Sequence, residues 1–233
     1  MYSDVFCRVY NAFGWNYYPD IFGDQLLTWL ERNHIPAESC LDLACGTGIL
    51  CEKLRRSGRT VWGMDLSEGM IRIAGENSPG VHYDVADMVT YRLGRSFGLV
   101  TCTGDAVNHI PALGDVAQIF QNVYDCLKPG GWFVFDLLNE REVSTSEPFE
   151  MDFDEKTRVW FQMTRPGANA VNLKIRVFEN GALAFEENIR ETIHDPAVIC
   201  GLLAEAGFRN ITCADRLLSD SNPGTTWFVT ARK

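Results

Sequence analysis

The hydrophobic pattern of this chain falls into two textures. From Ser39 onwards, short apolar runs alternate with segments whose apolar residues recur every three or four positions, as in strands followed by amphipathic helices. Ser39 to Leu43, Thr60 to Met64, Val81 to Val85 and Phe97 to Cys102 read as strands, and Thr47 to Arg56 reads as a helix. Asp115 to Leu127 sets Val116, Ile119, Phe120, Val123, Tyr124 and Leu127 on one helical face. Lys128-Pro129-Gly130-Gly131 then reads as a helix stop and turn leading into a strand that ends at Leu138. Upstream, Ile21, Phe22, Leu26, Trp29 and Leu30 predict a helix over Asp20 to Asn33 that docks on the sheet.

Beyond Leu138 the pattern changes to strict alternation, as in R-V-W-F-Q-M-T and V-N-L-K-I-R-V-F-E, with turn signals at Pro166-Gly167 and Asn180-Gly181. Residues 139–192 therefore read as an antiparallel sheet inserted into an α/β domain made of residues 1–138 plus 193–233. A sheet this small does not stand alone, and it fits either a substrate-side wall over a cleft or a dimer interface. Trp160, Gln162, Arg176 and Arg190 are candidates for its inward face. A helix from Asp195 or Pro196 to Ala206 stops at Gly207, and Arg209 to Leu217 and Thr226 to Ala231 supply two closing strands.

The 233 residues, 46% hydrophobic and 22% charged, suit one globular α/β domain carrying such an insertion. A formal net charge of −10 disfavours nucleic acid as the main partner, because phosphate binding needs clustered Lys and Arg. The one compact basic run, Lys53, Arg55, Arg56 and Arg59, fits a solvated helix face. Eight cysteines at 7, 40, 45, 51, 102, 126, 200 and 213 contain no C-x-x-C pair and read as buried thiols of a reducing compartment. No stretch approaches the roughly 20 apolar residues of a membrane span. A soluble cytoplasmic protein is expected, as monomer or homodimer.

The candidate chemistry starts at L-D-L-A-C-G-T-G, residues 41–48. Gly46 and Gly48 remove side chains where the backbone must turn tightly and approach a ligand, and the following helix offers unpaired N–H groups. Asp42 places a negative charge that repels pyrophosphate and suits a cationic amine or sulfonium. Asp65, at the end of the second strand, is placed to accept from ribose hydroxyls. Ser67 reads as a helix N-cap, while Leu66 and Met70 fit either an adenine-flanking pair or ordinary core.

L-D-L-A-C-G-T-G resembles the first motif of the class I S-adenosylmethionine-dependent methyltransferases, and L-K-P-G-G and P-A-V-I-C-G-L-L-A-E-A-G-F are similar to later segments of that family. The resemblance implies an α/β, Rossmann-like seven-stranded methyltransferase sheet whose last strand is antiparallel, here with a small antiparallel β insertion. It also implies S-adenosylmethionine as cofactor. Asp87 would accept from the adenine amino group, with Ala86 and Met88 beside the ring. Ala44 and Thr103 join Asp42, Gly46, Gly48, Asp65, Leu66 and Met70 in the implied cofactor site. The N-terminal aromatics Tyr2, Phe6, Tyr10, Phe13, Trp15, Tyr17 and Tyr18 resemble the family's Tyr-rich lid, with Tyr10 and Tyr18 toward the cofactor; they equally suit an anchor for the first helix. The chain departs from the family at Gly98, where an Asp is common.

T-C-T-G-D-A-V-N-H-I-P follows the fourth strand, at the carboxyl ends where ligands of open α/β sheets bind. Its Asp105, Asn108 and His109 form the polar triplet that can orient or deprotonate an acceptor, and His109 has the side chain suited to general-base work near neutrality. Asp105 and His109 are thus candidate catalytic residues, although a His here also fits a structural role. The function implied is methyl transfer to a small-molecule O, N or C acceptor, with no metal. Three other classes compete. A nicotinamide dehydrogenase wants a third glycine where Cys51 stands. A metal-assisted enzyme would have to use Asp105, Asp136 and Asn139, whose spacing does not match. A non-catalytic S-adenosylmethionine-binding protein acting through a partner protein fits the same motifs.

Overall fold

The computed structural model describes residues 6–7, 10–11, 14–140, 143, 145, 147–218 and 226–233. Tyr2 and Phe13 of the aromatic N-terminus lie outside the described residues. A first helix, α1 (Tyr17–Arg32), precedes the alternating series β1 (Ser39–Leu43), α2 (Ile49–Arg56), β2 (Thr60–Asp65), α3 (Glu68–Asn77), β3 (His82–Val85) and β4 (Phe97–Cys102). A short 3-10 turn (Ala106–His109), α4 (Leu113–Cys126) and β5 (Leu127–Leu138) follow. Strands β6 (Phe149–Asp152), β7 (Thr157–Gly167), β8 (Ala170–Glu179) and β9 (Ala182–Thr192) make the insertion, and α5 (Pro196–Glu205), β10 (Arg209–Ala214) and β11 (Thr226–Arg232) close the chain.

The main sheet has seven strands in the order β10-β11-β5-β4-β1-β2-β3. All pairs among β1 to β5 are parallel, and β11 runs antiparallel to both β5 and β10. Successive strand residues point to opposite faces, so each strand feeds two cores. Leu41, Leu43, Val100, Phe133 and Phe135 pack under α4 and α5, while Cys40, Leu99 and Val134 pack under α1 and α2 with Leu26, Leu50 and Leu54. The strand order reverses between β1 and β4, and the crevice outside their carboxyl ends is where such sheets bind ligands.

Three sequence expectations shift. The helix after the glycine loop begins at Ile49, because Gly48 takes a left-handed conformation (φ 79°) as its N-cap. Lys128 to Gly131 is not a separate turn: β5 starts at Leu127 and carries the glycines as an irregularity. There Gly130 has φ 77° and its N–H donates to the Lys233 carbonyl (3.0 Å), fastening the chain end to the sheet. The β7–β8 hairpin of the insertion turns after Gly167, which pairs with Ala170, so Pro166-Gly167 ends a strand. Asn180-Gly181 does form a turn, with φ of 51° and 79° as a two-residue hairpin requires.

The inserted strands form a separate antiparallel sheet in the order β6-β7-β8-β9. Its inner face, Val159, Phe161, Ile175, Val177 and Phe185, packs on Phe6, Tyr10 and Trp15 and on Met70 of α3. Trp15 meets Phe161 edge-on at 6.0 Å, and Phe6 lies 5.1 Å from Trp15. The N-terminal aromatics thus fill the seam between the inserted sheet and α3, which stabilises a sheet too small for independence. Trp160, Gln162, Arg176 and Arg190 occupy the other face, one residue out of phase with Val159, Phe161, Ile175 and Ile189. Arg176 stacks over Trp160 at 4.8 Å and pairs with Glu186 at 2.6 Å, so these four are not inward residues.

Candidate functional site

The glycine loop is built by left-handed backbone and one carboxylate. Ala44, Gly46 and Gly48 all have positive φ (53°, 53° and 79°). Asp65 Oδ2 accepts from the Gly46 N–H and Oδ1 from the Ser67 N–H, both at 2.9 Å, which ties the loop to the start of α3. Burial raises the pKa of Asp65 and these backbone donors counter it. A side chain at Gly46 would project into open space, whereas one at Gly48 would meet the Tyr83 hydroxyl at 2.5 Å and Ala74 at 3.0 Å. Gly46 is therefore the bare surface of the crevice, and Gly48 the closely packed point beneath it. Tyr83 and Ala74 under the loop, and Asn11, whose Oδ1 accepts from Thr47 Oγ at 2.7 Å, were not singled out from the sequence; they carry no motif.

The other candidates divide. Ser67 caps α3 by accepting from the Met70 N–H (3.3 Å), as expected. Met70 is buried in the seam with Phe6, so it is core, while Leu66 is 48% exposed at the mouth. Ala86 donates its N–H to the Asp65 carbonyl (2.9 Å), bringing the β3 loop to Asp65. Asp87 Oδ1 accepts from the Val89 N–H (2.8 Å), and Ala86 and Met88 pack on the core beside it. Asp42 is 1% exposed and does not open on the crevice. Its oxygens accept from Thr101 Oγ (2.6 Å) and Cys51 Sγ (3.5 Å), and burial pushes its pKa up to about 7. Any effect of its charge on a ligand acts through space.

A second carboxylate, Asp136 at the end of β5, organises the acceptor side. Fully buried, it accepts from the Tyr18 hydroxyl (2.6 Å), the Gly104 N–H (3.0 Å) and the Asp105 N–H (2.7 Å). That hub holds Gly104 and Asp105 at φ of 75° and 58°, two left-handed residues in succession after Thr103, which is half-buried. Tyr18 spends its hydroxyl on Asp136, so it positions the loop from the first turn of α1. Tyr10 lies between the two halves: burial, then the charges of Asp65 and Asp105, push its phenol up to about 12.

Asp105 projects into this space with no hydrogen-bond donor among the described residues. Burial, then the charges of Asp136 and Glu191, hold its carboxyl well above the usual range. His109, its pKa lowered mainly by burial, places Nε2 3.7 Å from Glu191 Oε1. Asn108 is a clamp: its Nδ2 donates to the Thr192 carbonyl (2.7 Å) and its Oδ1 accepts from the Leu138 N–H (3.1 Å). Of the triplet read from the sequence, Asn108 is taken up as a clamp, while Asp105 and His109 lie beside Glu191 of β9. A strand residue far along the chain gave no local signal. Asp136 already accepts three protein donors, and the described residues contain no group of three His, Cys, Asp or Glu placed to hold a metal.

A largely parallel sheet with this strand order, a bare glycine loop and an acidic side chain at the end of β2 define a Rossmann-like class of nucleotide-binding site. Residues 40–131 match the family model described as a methyltransferase domain. The chain is 29% identical over 136 residues to dTDP-4-amino-2,3,4,6-tetradeoxy-D-glucose N,N-dimethyltransferase of Saccharopolyspora spinosa, covering 58% of this chain and 53% of that one. It is 33% identical over 125 residues to a ubiquinone biosynthesis O-methyltransferase of Thiobacillus denitrificans, covering 51% and 52%. The chain spans about half the length of the curated relatives it matches. A solved S-adenosylmethionine-dependent methyltransferase from Clostridium acetobutylicum superposes with a TM-score of 0.78 at 25% identity, over 90% of this chain and 89% of that one. In its fold, and over residues 40–131, the chain is similar to the class I S-adenosylmethionine-dependent methyltransferases.

Proposed function

We propose that this chain transfers a methyl group from S-adenosylmethionine to a small-molecule acceptor, and that the acceptor atom is an amine nitrogen. The cofactor half of the reading is carried by the Asp65–Gly46–Ser67 arrangement. Asp65 Oδ2 accepts from the Gly46 N–H and Oδ1 from the Ser67 N–H, and the carboxylate keeps acceptor capacity for ribose hydroxyls. Gly46 leaves main chain bare for the ligand, and the second oxygen of Asp87 is left for the adenine amino group. Ala44, Gly48, Ala86, Met88, Leu66, Thr103 and Tyr10 complete this side. Asp42 contributes its field, while Met70 and Tyr18 act from behind by packing and by holding the hub.

When bound, S-adenosylmethionine supplies an electrophilic methyl group on a sulfonium. The protein's part is to align the nucleophile with it and exclude water. The amine assignment rests on Asp105, a half-buried carboxylate with no donor among the described residues, facing Glu191. A site lined this way welcomes a cation. The Saccharopolyspora relative is by its name a sugar N,N-dimethyltransferase, which supports the same acceptor chemistry. The net charge of −10 supports a small molecule over nucleic acid, and the free thiols support a cytoplasmic setting for a monomer or homodimer.

Calorimetric titration tests the cofactor half. Saturable binding of S-adenosylhomocysteine below millimolar concentration is expected, and none at millimolar ligand would overturn the reading. Asp105→Asn tests the acceptor half. Asn tolerates the left-handed backbone at this position, so the substitution removes charge with little strain. With an amine acceptor KM should rise about tenfold, matching the loss of one nearby opposite charge, while S-adenosylhomocysteine affinity stays put. An unchanged KM would remove Asp105 from acceptor binding.

A further inference from the structure

We infer that Glu191, carried in on the inserted sheet, is a catalytic residue that receives the proton of the acceptor ammonium. The inference rests on the methyl-transfer reading above and extends it to a residue outside the methyltransferase sheet. The argument begins with strand phase. On β9 the half-buried positions are Phe185, Glu187, Ile189 and Glu191, alternating with exposed Glu186, Asn188 and Arg190. Glu191 therefore lies on the face turned toward the main domain, with its side chain only 17% exposed.

Two fastenings fix its place. The carbonyl of the next residue, Thr192, accepts from Asn108 Nδ2 (2.7 Å), and the His194 ring meets the Ile110 carbonyl (3.0 Å). Both bonds cross from the end of the insertion to the loop after β4. They set Glu191 Oε1 3.7 Å from His109 Nε2 and close enough to Asp105 for the Glu191 charge to oppose the ionisation of Asp105. The groups facing Glu191 are therefore Asp105 and His109 on that loop, with Asp136 behind Asp105 and Tyr10 beside it. Burial pushes the Glu191 carboxyl up to about 7. A carboxyl with that proton affinity is matched to general-base work near neutrality, and His109, whose pKa burial lowers, stands beside it.

The proton transfer balances. An ammonium acceptor has no lone pair. One N–H bond breaks with its electrons left on nitrogen, and the proton forms an O–H bond at Glu191. The freed pair then makes the N–CH3 bond while the C–S bond breaks and its pair returns to sulfur. The positive charge passes from sulfur to the methylated nitrogen, and Glu191 returns its proton to solvent.

The test compares two ligands of the same cofactor site by calorimetry. S-adenosylhomocysteine is neutral at sulfur; sinefungin carries a C–NH3+ group where the sulfonium methyl stands. Wild type should prefer sinefungin, and the preference should grow as pH rises through about 7, where Glu191 gains its charge. In Glu191→Gln the preference should fall roughly tenfold or more, as expected for a lost opposite charge close to an ammonium. Glu191→Asp should recover part of it. S-adenosylhomocysteine affinity should be equal in all three. The Gln variant, which still has Asp105, should keep a shallower pH dependence. An unchanged ratio with intact S-adenosylhomocysteine binding overturns the role of Glu191 and leaves the cofactor reading standing. Loss of both ligands in the Gln variant would make Glu191 structural and also overturn it. Failure of wild type to bind S-adenosylhomocysteine would instead sink the underlying reading.

Discussion

Gly48→Ala is expected to weaken S-adenosylhomocysteine binding by more than about 100-fold, equivalent to roughly 3 kcal/mol. The left-handed backbone at this position (φ 79°) costs an L-residue about 1–2 kcal/mol. The new Cβ would also lie 2.5 Å from the Tyr83 hydroxyl and 3.2 Å from the Ala74 backbone. Neither neighbour yields freely, since Ala74 belongs to α3 and Tyr83 to β3. The loop must move instead. Its movement reaches the ligand surface because the Gly48 N–H donates to the Cys45 carbonyl (3.0 Å), one residue before Gly46. Melting temperature should therefore fall together with affinity. Adding Tyr83→Phe, which deletes the clashing oxygen, should recover part of both.

Gly46→Ala makes the complementary case. Its Cβ meets nothing within 4 Å, so the fold loses only the backbone term at φ 53° while the methyl group stands in the crevice. Thermal stability should drop less than for Gly48→Ala, yet binding should be lost to a similar degree. Wild-type affinity in Gly46→Ala would show that this loop is not the cofactor cradle.

The contrast between these glycines shows what was legible in the sequence. L-D-L-A-C-G-T-G, Asp65 and Asp87 could be placed because each sits where a strand ends, and strand ends follow from apolar periodicity. The insertion was legible as alternation and as the turn Asn180-Gly181. The phase of its strands against the rest was not: Trp160, Gln162, Arg176 and Arg190 share one face, and only packing on Phe6 and Trp15 decides which face turns inward. Asp42 was legible as an acidic residue before the loop, but not as one whose oxygens are taken by Thr101 and Cys51. Glu191, and the hub role of Asp136, which the sequence offered only as a metal ligand, escaped for a related reason. Their roles arise from pairings across the chain, such as Asn108 with Thr192, that no local window contains.

Asp136 leads to the second large effect. Asp136→Ala is expected to lower the melting temperature by roughly 10 °C or more and to abolish methyl transfer. The substitution leaves three donors, the Tyr18 hydroxyl and the Gly104 and Asp105 N–H groups, without their acceptor. A buried donor left unsatisfied costs about 1–3 kcal/mol, so three approach the whole stability of an ordinary domain, about 5–15 kcal/mol. At roughly 2–4 °C per kcal/mol for a chain of this size, a shift of that order follows even if water satisfies one donor. Tyr18→Phe removes a donor instead of orphaning three, and should shift the melting temperature much less. The catalytic loss has a separate origin. Asp136 holds Gly104 and Asp105 in their left-handed conformations and its charge raises the proton affinity of Asp105. Without it the loop relaxes, and Asp105 ionises at lower pH. Differential scanning calorimetry of the two variants separates these contributions. If Asp136→Ala melts like wild type, the hub is not what fixes the Asp105 loop, and the acceptor side must be held by the Asn108 clamp alone.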